Sequence, residues 1–160
     1  MTKAKTKTKK IILLAVATLL VLFLLGSCLY LFLPGSWRSI DSFSQYQGLL
    51  DSSLTEITIR RGLEEVTFSD EDLLQQWEEG LQQLQLKKGE VVWYKIFPIA
   101  VTGDTNEIIL RTDTGEYTLV TPYSVPGVVY LSVFRYEVND PDYLPIESTF
   151  DQAAQRQGLE

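Results

Sequence analysis

The stretch EITIRRGLEEVTFSDEDLLQQWEEGLQQL, residues 56–84, decides the fold. In its first half, four apolar residues alternate with polar ones on either side of a turn at Arg61-Gly62. Period-two alternation around a glycine turn predicts a β-hairpin with one buried side. The four residues that would share this buried side are Ile57, Ile59, Val66 and Phe68.

The second half of the stretch predicts an amphipathic helix over residues 70–85. Ser69 precedes the acids of 70–72, a pattern typical of a capping box with carboxylates in the first helical turn. We expect Lys87-Lys88-Gly89 to end the helix. The apolar stripe that would pack on a sheet consists of Leu73, Leu74, Trp77, Leu81 and Leu84.

The rest of the chain predicts strands. Residues 91–101 have a strand composition, and a turn is expected at 103–106. Residues 107–112 and 116–121 flank a short turn and predict a second hairpin. The β-branched and aromatic run 127–138 predicts one long central strand. The predicted fold class is α+β: an N-terminal transmembrane helix, then one domain with an antiparallel sheet (hairpin, helix, meander) and a helix packed on one face.

The N-terminal part combines a basic head with a long apolar run. Residues 2–10 carry five lysines and no acid, and residues 11–33 form a run of 23 residues without a charge. At 1.5 Å per residue, a helix of this length spans about 34 Å, which exceeds the hydrocarbon core of a bilayer. We therefore expect residues 11–33 to be a transmembrane helix or signal anchor in contact with the lipid bilayer.

Charge predicts the orientation and the domain organisation. The lysines crowd one end of the apolar run, so the positive-inside rule places the N-terminus in the cytoplasm and the C-terminal part outside it. After residue 33 there are nine Lys/Arg against 21 Asp/Glu, a net charge of −12. We expect a single-pass protein of the cell membrane. Its predicted parts are a basic cytoplasmic head (1–10), the span (11–33), a stalk or short helix (34–53, helical over 39–51), an α+β ectodomain (54–146) and a polar tail (147–160).

Cys28, the single cysteine, offers a second kind of anchor. The sequence Leu25-Gly26-Ser27-Cys28 fits a bacterial lipobox, and cleavage there would leave a lipidated Cys28 at the mature N-terminus. Residues 29–33 stay apolar, however, whereas lipoproteins usually turn polar directly after the cysteine. The uncleaved helix is therefore favoured, and lipidation of Cys28 is the alternative.

The composition disfavours most catalytic sites. The chain has no histidine, which removes His-based triads and the commonest metal ligand. Asp113-Thr114-Gly115 is similar to the catalytic turn of aspartic proteases, which need two such carboxylates. Only one copy is present, so a hairpin turn is the favoured interpretation, and an enzyme that uses Asp113 is a minor alternative. We expect no catalytic residue and no cofactor.

Two groups of acidic residues could suggest a metal site, but each has a simpler explanation. Asp70-Glu71-Asp72 fits the first turn of a helix, and the loop acids around Asn139, Asp140 and Asp142 lack the pattern of a calcium loop. We therefore predict no metal site. Because the exported part is strongly acidic, nucleic acid is not an expected partner.

Aromatic residues are concentrated in the predicted strands. In the run 127–138, Tyr130, Phe134 and Tyr136 share one parity and would form an aromatic face opposite the helix. Since Tyr and Trp are enriched in interface cores, we predict that these three residues and Trp93 bind a partner. The alternative is that both sheet faces are covered, by the stalk helix or by the C-terminal tail.

The order EITIRR…EEVTFSDEDLLQQWEEGLQQLQLKK…YKI…EIILRTDTGEYTL resembles small membrane-anchored or lipoprotein ectodomains of Gram-positive bacteria, over about residues 54–138. The layout is also similar to that of outward-facing immunity proteins, which neutralise toxins acting at the cell surface. The resemblance implies an exported α+β domain and carries over no binding residue.

The favoured function is a non-enzymatic, membrane-anchored extracytoplasmic domain that binds another protein, such as an immunity or accessory protein. An acidic domain is steered toward a partner with a basic surface. The alternative is a small structural or sensory subunit of a membrane complex, in which the helix 11–33 itself contacts other helices.

Overall fold

The computed structural model describes residues 2–33, 35–92 and 105–157. The chain divides into two compact units, Met1–Leu33 and Pro34–Glu160. The predicted strand over 91–101 therefore lies outside the described residues beyond Val92, as do the first two residues of the predicted turn 103–106.

The first unit is one continuous helix, α1 (Thr2–Phe32). Its described large apolar side chains, from Ile12 to Tyr30, are 53–73% exposed. Taken over the described residues alone, no helix combines the length and the hydropathy that crossing a bilayer requires.

The second unit is built on one antiparallel sheet of eight described strands, and this confirms the predicted α+β class. The strand order is β1-β4-β8-β7-β6-β5-β2-β3. The strands are β1 (Trp37–Ser39), β2 (Leu54–Arg61), β3 (Glu64–Phe68), β4 (Gln85–Val91), β5 (Thr105–Thr112), β6 (Glu116–Pro122), β7 (Val128–Leu131) and β8 (Phe134–Val138). The helices of this unit are α2 (Glu71–Gln83) and α3 (Ile146–Gln157), with short 3-10 turns at Ile40–Ser42 and Pro141–Tyr143.

The core lies between one face of this sheet and the two helices. Trp77 of α2 is fully buried, and its indole Nε1 donates a hydrogen bond to Thr149 Oγ1 of α3 over 3.1 Å. Apolar residues of the sheet that pack in the same cluster include Ile57, Ile108 and Leu119. The inner face of the sheet is therefore covered by both helices.

The hairpin and the helix predicted for residues 56–84 both form. In the hairpin β2–β3, Ile57 pairs with Phe68 and Ile59 with Val66, and all four side chains are buried. The apolar stripe of α2 is buried as well, and the hairpin β5–β6 joins a meander that continues through β7 and β8. Period-two and helical patterns identified these elements because each buries one face only.

The predicted boundaries of α2 are wrong. Ser69 does not cap the helix: Asp70 holds the N-cap position without a side-chain cap bond, and its carboxylate accepts a hydrogen bond from Arg156 Nη1 at 2.6 Å. At the other end, Lys87-Lys88-Gly89 lies inside β4, because Leu86 is buried opposite Val138 of β8. Both observed ends of α2 thus depend on contacts with residues that are distant in sequence, which the local pattern does not show.

The prediction of one long strand over 127–138 is wrong. The run folds back on itself as the hairpin β7–β8, with a turn at Ser132-Val133 and Leu131 paired with Phe134. Ser132 adopts a left-handed φ of 56°. A residue with left-handed φ in a hairpin turn is usually glycine or asparagine, and this turn has neither. The strand-like composition of 127–138 therefore gives no sign of the turn.

The segment predicted as a stalk helix over 39–51 is also different. It forms the 3-10 turn Ile40–Ser42 followed by further turns, and Ile40, Tyr46 and Leu49 are buried in the core. The Tyr46 hydroxyl donates to the Thr118 carbonyl oxygen at 2.7 Å. The segment is therefore packed onto the sheet.

The polar tail predicted for residues 147–160 lies in α3 as far as Gln157. Phe150 and Ala153 are buried in the core, while charged and amide side chains cover the exposed side of the helix. Because only a narrow stripe is apolar, the segment is polar on average and still packs as an amphipathic helix.

The outer face of the sheet is polar between β3 and β6. Arg60 pairs with Glu65 at 2.6 Å and with Glu107 at 3.5 Å. On the neighbouring rows, Arg111 pairs with Glu116 at 3.1 Å and also with Glu56. Two arginines thus bridge glutamates across four strands, an arrangement typical of a solvated face.

Substituting Gly80 should destabilise the second unit. A Cβ added at Gly80 would lie 2.3 Å from the carbonyl oxygen of Tyr143, so α2 and the turn Pro141–Tyr143 would have to separate. We expect Gly80→Ala to lower the free energy of unfolding by about 2 kcal/mol despite the better helix propensity of alanine.

The measurement is urea denaturation followed by tryptophan fluorescence, to which the buried Trp77 contributes. Gly115→Ala is the matched control, since a Cβ there meets nothing within 4 Å. Equal stability of the two variants would contradict the tight contact at Gly80.

Alkaline pH should destabilise the fold through Tyr46. Burial raises the pKa of its phenol from 10.0 to about 12, because the phenolate is poorly solvated there. The folded state therefore holds the proton more tightly than the unfolded state. The resulting stabilisation is fully present below about pH 10 and is lost as the pH rises through about 12.

We expect the free energy of unfolding of the wild type to fall by about 1 to 3 kcal/mol more than that of Tyr46→Phe over this pH range. Urea denaturation at constant ionic strength measures the difference. Burial lowers the pKa of Lys88, an effect of opposite sign that both proteins share. Identical pH profiles for Tyr46→Phe and the wild type would refute the assignment.

Candidate functional site

A cleft of about 420 Å³ opens at one end of the sheet. The hairpin turn after Arg61, the start of β5 and the end of β6 lie at this end, as their register shows. Two loops complete it, one between β6 and β7 and one between β8 and α3. We call this cavity the cleft. It is lined by Gln76, Asn106, Thr121, Pro122, Val125, Pro126, Gly127, Val128, Pro141, Asp142, Leu144, Pro145, Ile146, Glu147 and Ser148.

Arg61 organises the polar side of the cleft. Its guanidinium lies 4.4 Å from the ring centroid of Tyr123 and 4.3 Å from that of Phe150, so it is held between two aromatic rings. Its Nε donates to Asn106 Oδ1 at 2.9 Å, and its Nη2 donates to Glu147 Oε1 at 2.8 Å. One side chain of β2 thus joins β5, the loop after β6 and α3.

The floor of the cleft contains two buried polar side chains, Asn106 and Thr121. The amide Nδ2 of Asn106 donates to Thr121 Oγ1 at 3.4 Å, while its oxygen accepts from Arg61. Among the described residues, no buried side-chain nitrogen or oxygen lacks a hydrogen-bond partner. The polar floor is therefore satisfied internally.

Proline forms much of the wall. Four of the six prolines of the chain line the cleft. Gly127 has a φ of +75°, and a Cβ at this position would lie 3.0 Å from the Cγ atom of Pro141, so the two loops touch here. Because proline fixes φ, these walls lose little conformational freedom when a ligand binds. The four prolines are Pro122, Pro126, Pro141 and Pro145.

The opening of the cleft, which we call the lip, carries the acidic residues Asp142 and Glu147. The described lining residues include two carboxylates, Asp142 and Glu147, and no lysine or arginine. Glu147 pairs with Arg61 but its side chain remains 61% exposed. None of the ion pairs between described residues involves Asp142.

Three exposed apolar side chains lie at the same end of the sheet as the cleft. Leu63 is fully exposed at the tip of the β2–β3 turn, Tyr123 is half exposed where it covers Arg61, and Val125 is exposed on the cleft wall. We call these three residues the apolar rim. Within the second unit, the only other large apolar residue that is exposed among those described is Trp37.

The predicted aromatic face does not form as one surface. Because β7 and β8 pair as a hairpin, Phe134 and Tyr136 lie on the same side as buried Val129, whereas Tyr130 pairs with Arg135 on the other side. Tyr136 is buried and makes an edge-to-face contact with Phe43 at 5.2 Å. Trp93, the fourth residue of the prediction, lies outside the described residues.

The Asp-Thr-Gly turn has a structural explanation. The Asp113 carboxylate accepts a hydrogen bond from the Ser53 backbone N–H at 3.1 Å, and the Asp113 N–H donates to the Ser53 carbonyl oxygen at 3.2 Å. Thr112 Oγ1 accepts hydrogen bonds from the N–H groups of Thr114 and Gly115. These contacts fasten the β5–β6 turn to the loop before β2.

The side chains of Asn139 and Asp140, in the loop after β8, have hydrogen-bond partners within the protein. Asn139 Oδ1 accepts from the Gln85 N–H at 2.8 Å and its Nδ2 donates to the Gln83 carbonyl oxygen at 3.1 Å. Asp140 caps the 3-10 turn by accepting from the Asp142 N–H. Across the described residues, no group of three acidic or cysteine side chains is arranged to hold a metal ion. Cys28 is exposed on α1.

Sequence reasoning missed the cleft entirely. Its residues come from segments that are far apart along the chain, so no local motif contains them. The one available signal was the spacing of the prolines in 122–126 and 141–145, which marks two rigid loops.

Comparison of the chain with protein families, with curated proteins and with solved structures finds no match. The resemblance to exported ectodomains of Gram-positive bacteria thus depends on the order of sequence segments alone.

Replacing Arg61 should cost much more stability than replacing its neighbour Arg60. The Arg61 side chain is 17% exposed and contacts four residues, whereas Arg60 is 46% exposed and makes surface ion pairs. We expect Arg61→Met to lower the free energy of unfolding by about 1 to 3 kcal/mol, through loss of the stacking and hydrogen bonds. Arg60→Met should cost less than about 1 kcal/mol.

Urea denaturation of the two variants side by side provides the measurement. Equal losses would show that Arg61 does not hold the cleft together.

Proposed function

We propose that this protein is a non-enzymatic, membrane-anchored extracytoplasmic domain that binds another protein at the cleft. The observation that carries the proposal is the apolar rim, Leu63, Tyr123 and Val125, beside a cavity with rigid walls. Exposed apolar side chains grouped around a concave site are typical of interaction surfaces. An immunity or accessory protein would have these properties.

The membrane anchor in this proposal is residues 11–33. Its support comes from the sequence, in which this run of 23 residues has no charge and five lysines precede it. The described apolar side chains of α1 are exposed all round within the chain. A helix that is apolar on every side needs an apolar environment, which a bilayer provides. The N-terminus would then be cytoplasmic and the second unit extracytoplasmic, with lipidation of Cys28 as the alternative anchor.

The expected partner has a basic surface. The chain after residue 33 has a net charge of −12, and the cleft itself contributes Asp142 and Glu147. Opposite charges steer the encounter of two proteins and exclude partners of the same sign. A role of Tyr130, Phe134, Tyr136 and Trp93 in binding stays a prediction, and the proposal assigns the principal contact to the apolar rim.

The exposed apolar surface of α1 favours one other function, a structural or sensory subunit whose helix packs against other membrane helices. Replacing residues 11–33 by an unrelated membrane span separates the two. Partner binding at the cleft should survive this exchange, whereas a helix-packing subunit would lose its function.

Site-specific photocrosslinking tests the proposed function. A photoreactive benzoylphenylalanine is introduced into the full-length protein at Leu63, at Val125 or, as the control, at Thr118, which is exposed on the outer face of β6. In membranes of the organism that produces the protein, we expect one crosslinked species of the same mass from positions 63 and 125 and none from 118. Crosslinking at all three positions alike, or at none, would contradict the proposal.

A further inference from the structure

We infer that the cleft binds an extended segment of the partner in which an apolar side chain enters the cavity and a neighbouring lysine or arginine pairs with Glu147 and Asp142. This inference rests on the proposed function and specifies its ligand chemistry. Four properties of the cleft support this inference. They are its volume, its apolar wall residues, the internal hydrogen bonds of its floor and the two carboxylates at its opening.

The volume and the walls fit an apolar side chain with part of its backbone. A cavity of about 420 Å³ lies in the usual range for ligand sites. Leu144, Ile146 and Val128 line it together with the four prolines. Burial of an apolar group against such walls is favourable, and the walls need not rearrange.

The floor disfavours a ligand that depends on many hydrogen bonds. The oxygen of Asn106 accepts from Arg61 and its amide donates to Thr121, so each polar group of this side chain already has one partner within the protein. A sugar or nucleotide needs several donors and acceptors aimed at it, because its own polar groups would otherwise be buried without partners. The apolar walls, rather than the floor, therefore provide the contact.

The lip selects a cation. Arg61, fixed between Tyr123 and Phe150, holds Glu147 at 2.8 Å through one carboxylate oxygen and leaves the side chain largely exposed. Asp142 lies in the same lining without an ion pair to a described residue. Two carboxylates at the mouth of a cavity with partly apolar walls favour a basic group beside an apolar one.

The same charges argue against a second copy of this chain as the occupant. Two units that each carry a net charge of −12 repel one another, and a segment entering the cleft would have to be basic. After residue 38, four of the eight basic residues are isolated, and the other four form the pairs Arg60-Arg61 and Lys87-Lys88, which lie within strands β2 and β4. A separate basic protein is thus the better occupant.

The test uses the full-length protein in detergent micelles and three pentapeptides, Ac-Gly-Leu-Xaa-Leu-Gly-NH2, in which Xaa is lysine, norleucine or glutamate. Binding is followed by amide chemical shifts, which detect weak complexes, and empty micelles correct for adsorption. We expect shifts at cleft residues such as Gly127 and Ser148. The lysine peptide should bind about 3- to 5-fold more tightly than the norleucine peptide, and the glutamate peptide most weakly.

Two carboxylate variants and one control locate the charge effect. Glu147→Gln and Asp142→Asn should each reduce the preference for lysine over norleucine, and the double variant should abolish it. Asp142→Asn leaves the ion pair of Arg61 intact, so its effect does not depend on the packing of α3. Glu116→Gln, on the outer face, should keep the wild-type preference.

The outcomes separate this inference from the proposed function. Equal affinity for all three peptides, or shifts outside the cleft, would overturn the inference while crosslinks from Leu63 and Val125 would still support partner binding. Peptide binding with the expected charge preference, but without any crosslink from the rim, would support the cleft chemistry and contradict the proposed partner surface.

Discussion

The hydrogen bond between Trp77 and Thr149 fixes the arrangement on which the rest of the second unit depends. Both side chains are fully buried, and the bond joins α2 to α3 across the inner face of the sheet. An indole N–H buried without an acceptor would cost about 1 to 3 kcal/mol, so α3 cannot shift along the sheet without a penalty. Its position in turn brings Glu147 and Phe150 to Arg61.

Successive side chains of a strand point to opposite faces of the sheet, and two neighbouring residues of β2 show the consequence. Arg60 points to the outer face, where it pairs with glutamates in water. Arg61 points to the inner face at the edge of the core, where two aromatic rings and two polar partners enclose it. Arginine therefore forms exposed ion pairs at position 60, whereas at position 61 it holds together the elements around the cleft.

How far the sequence predicts this structure depends on whether a pattern is local. Alternation in 56–68 and the apolar stripe of 70–84 each bury one face of one element, so their interpretation needed no tertiary information. The turn at Ser132 carries no turn residue, and the short edge strand Trp37–Ser39 forms only because β4 offers it a partner. In α3, a narrow apolar stripe within a polar segment gave too weak a signal.

The cleft could not be predicted from the sequence, for a related reason. Arg61, Asn106 and Glu147 are separated by 45 and 41 residues and meet only after the meander and α3 are in place. Tyr130, Phe134 and Tyr136 do not share one face, because that required β7 and β8 to be one strand; their role in binding stays a prediction. The exposed aromatic residue beside the cleft is Tyr123, which was not among the residues predicted to bind a partner.

The central claim is that the partner protein occupies the cleft, and competition tests it most directly. The photoreactive group at Val125 is crosslinked to the partner in the presence of increasing amounts of the lysine pentapeptide or of its glutamate counterpart. We expect the lysine peptide to suppress the crosslink at a concentration near its own dissociation constant, whereas the glutamate peptide should need a several-fold higher concentration. A crosslink that persists when the cleft is saturated with the lysine peptide would contradict the account.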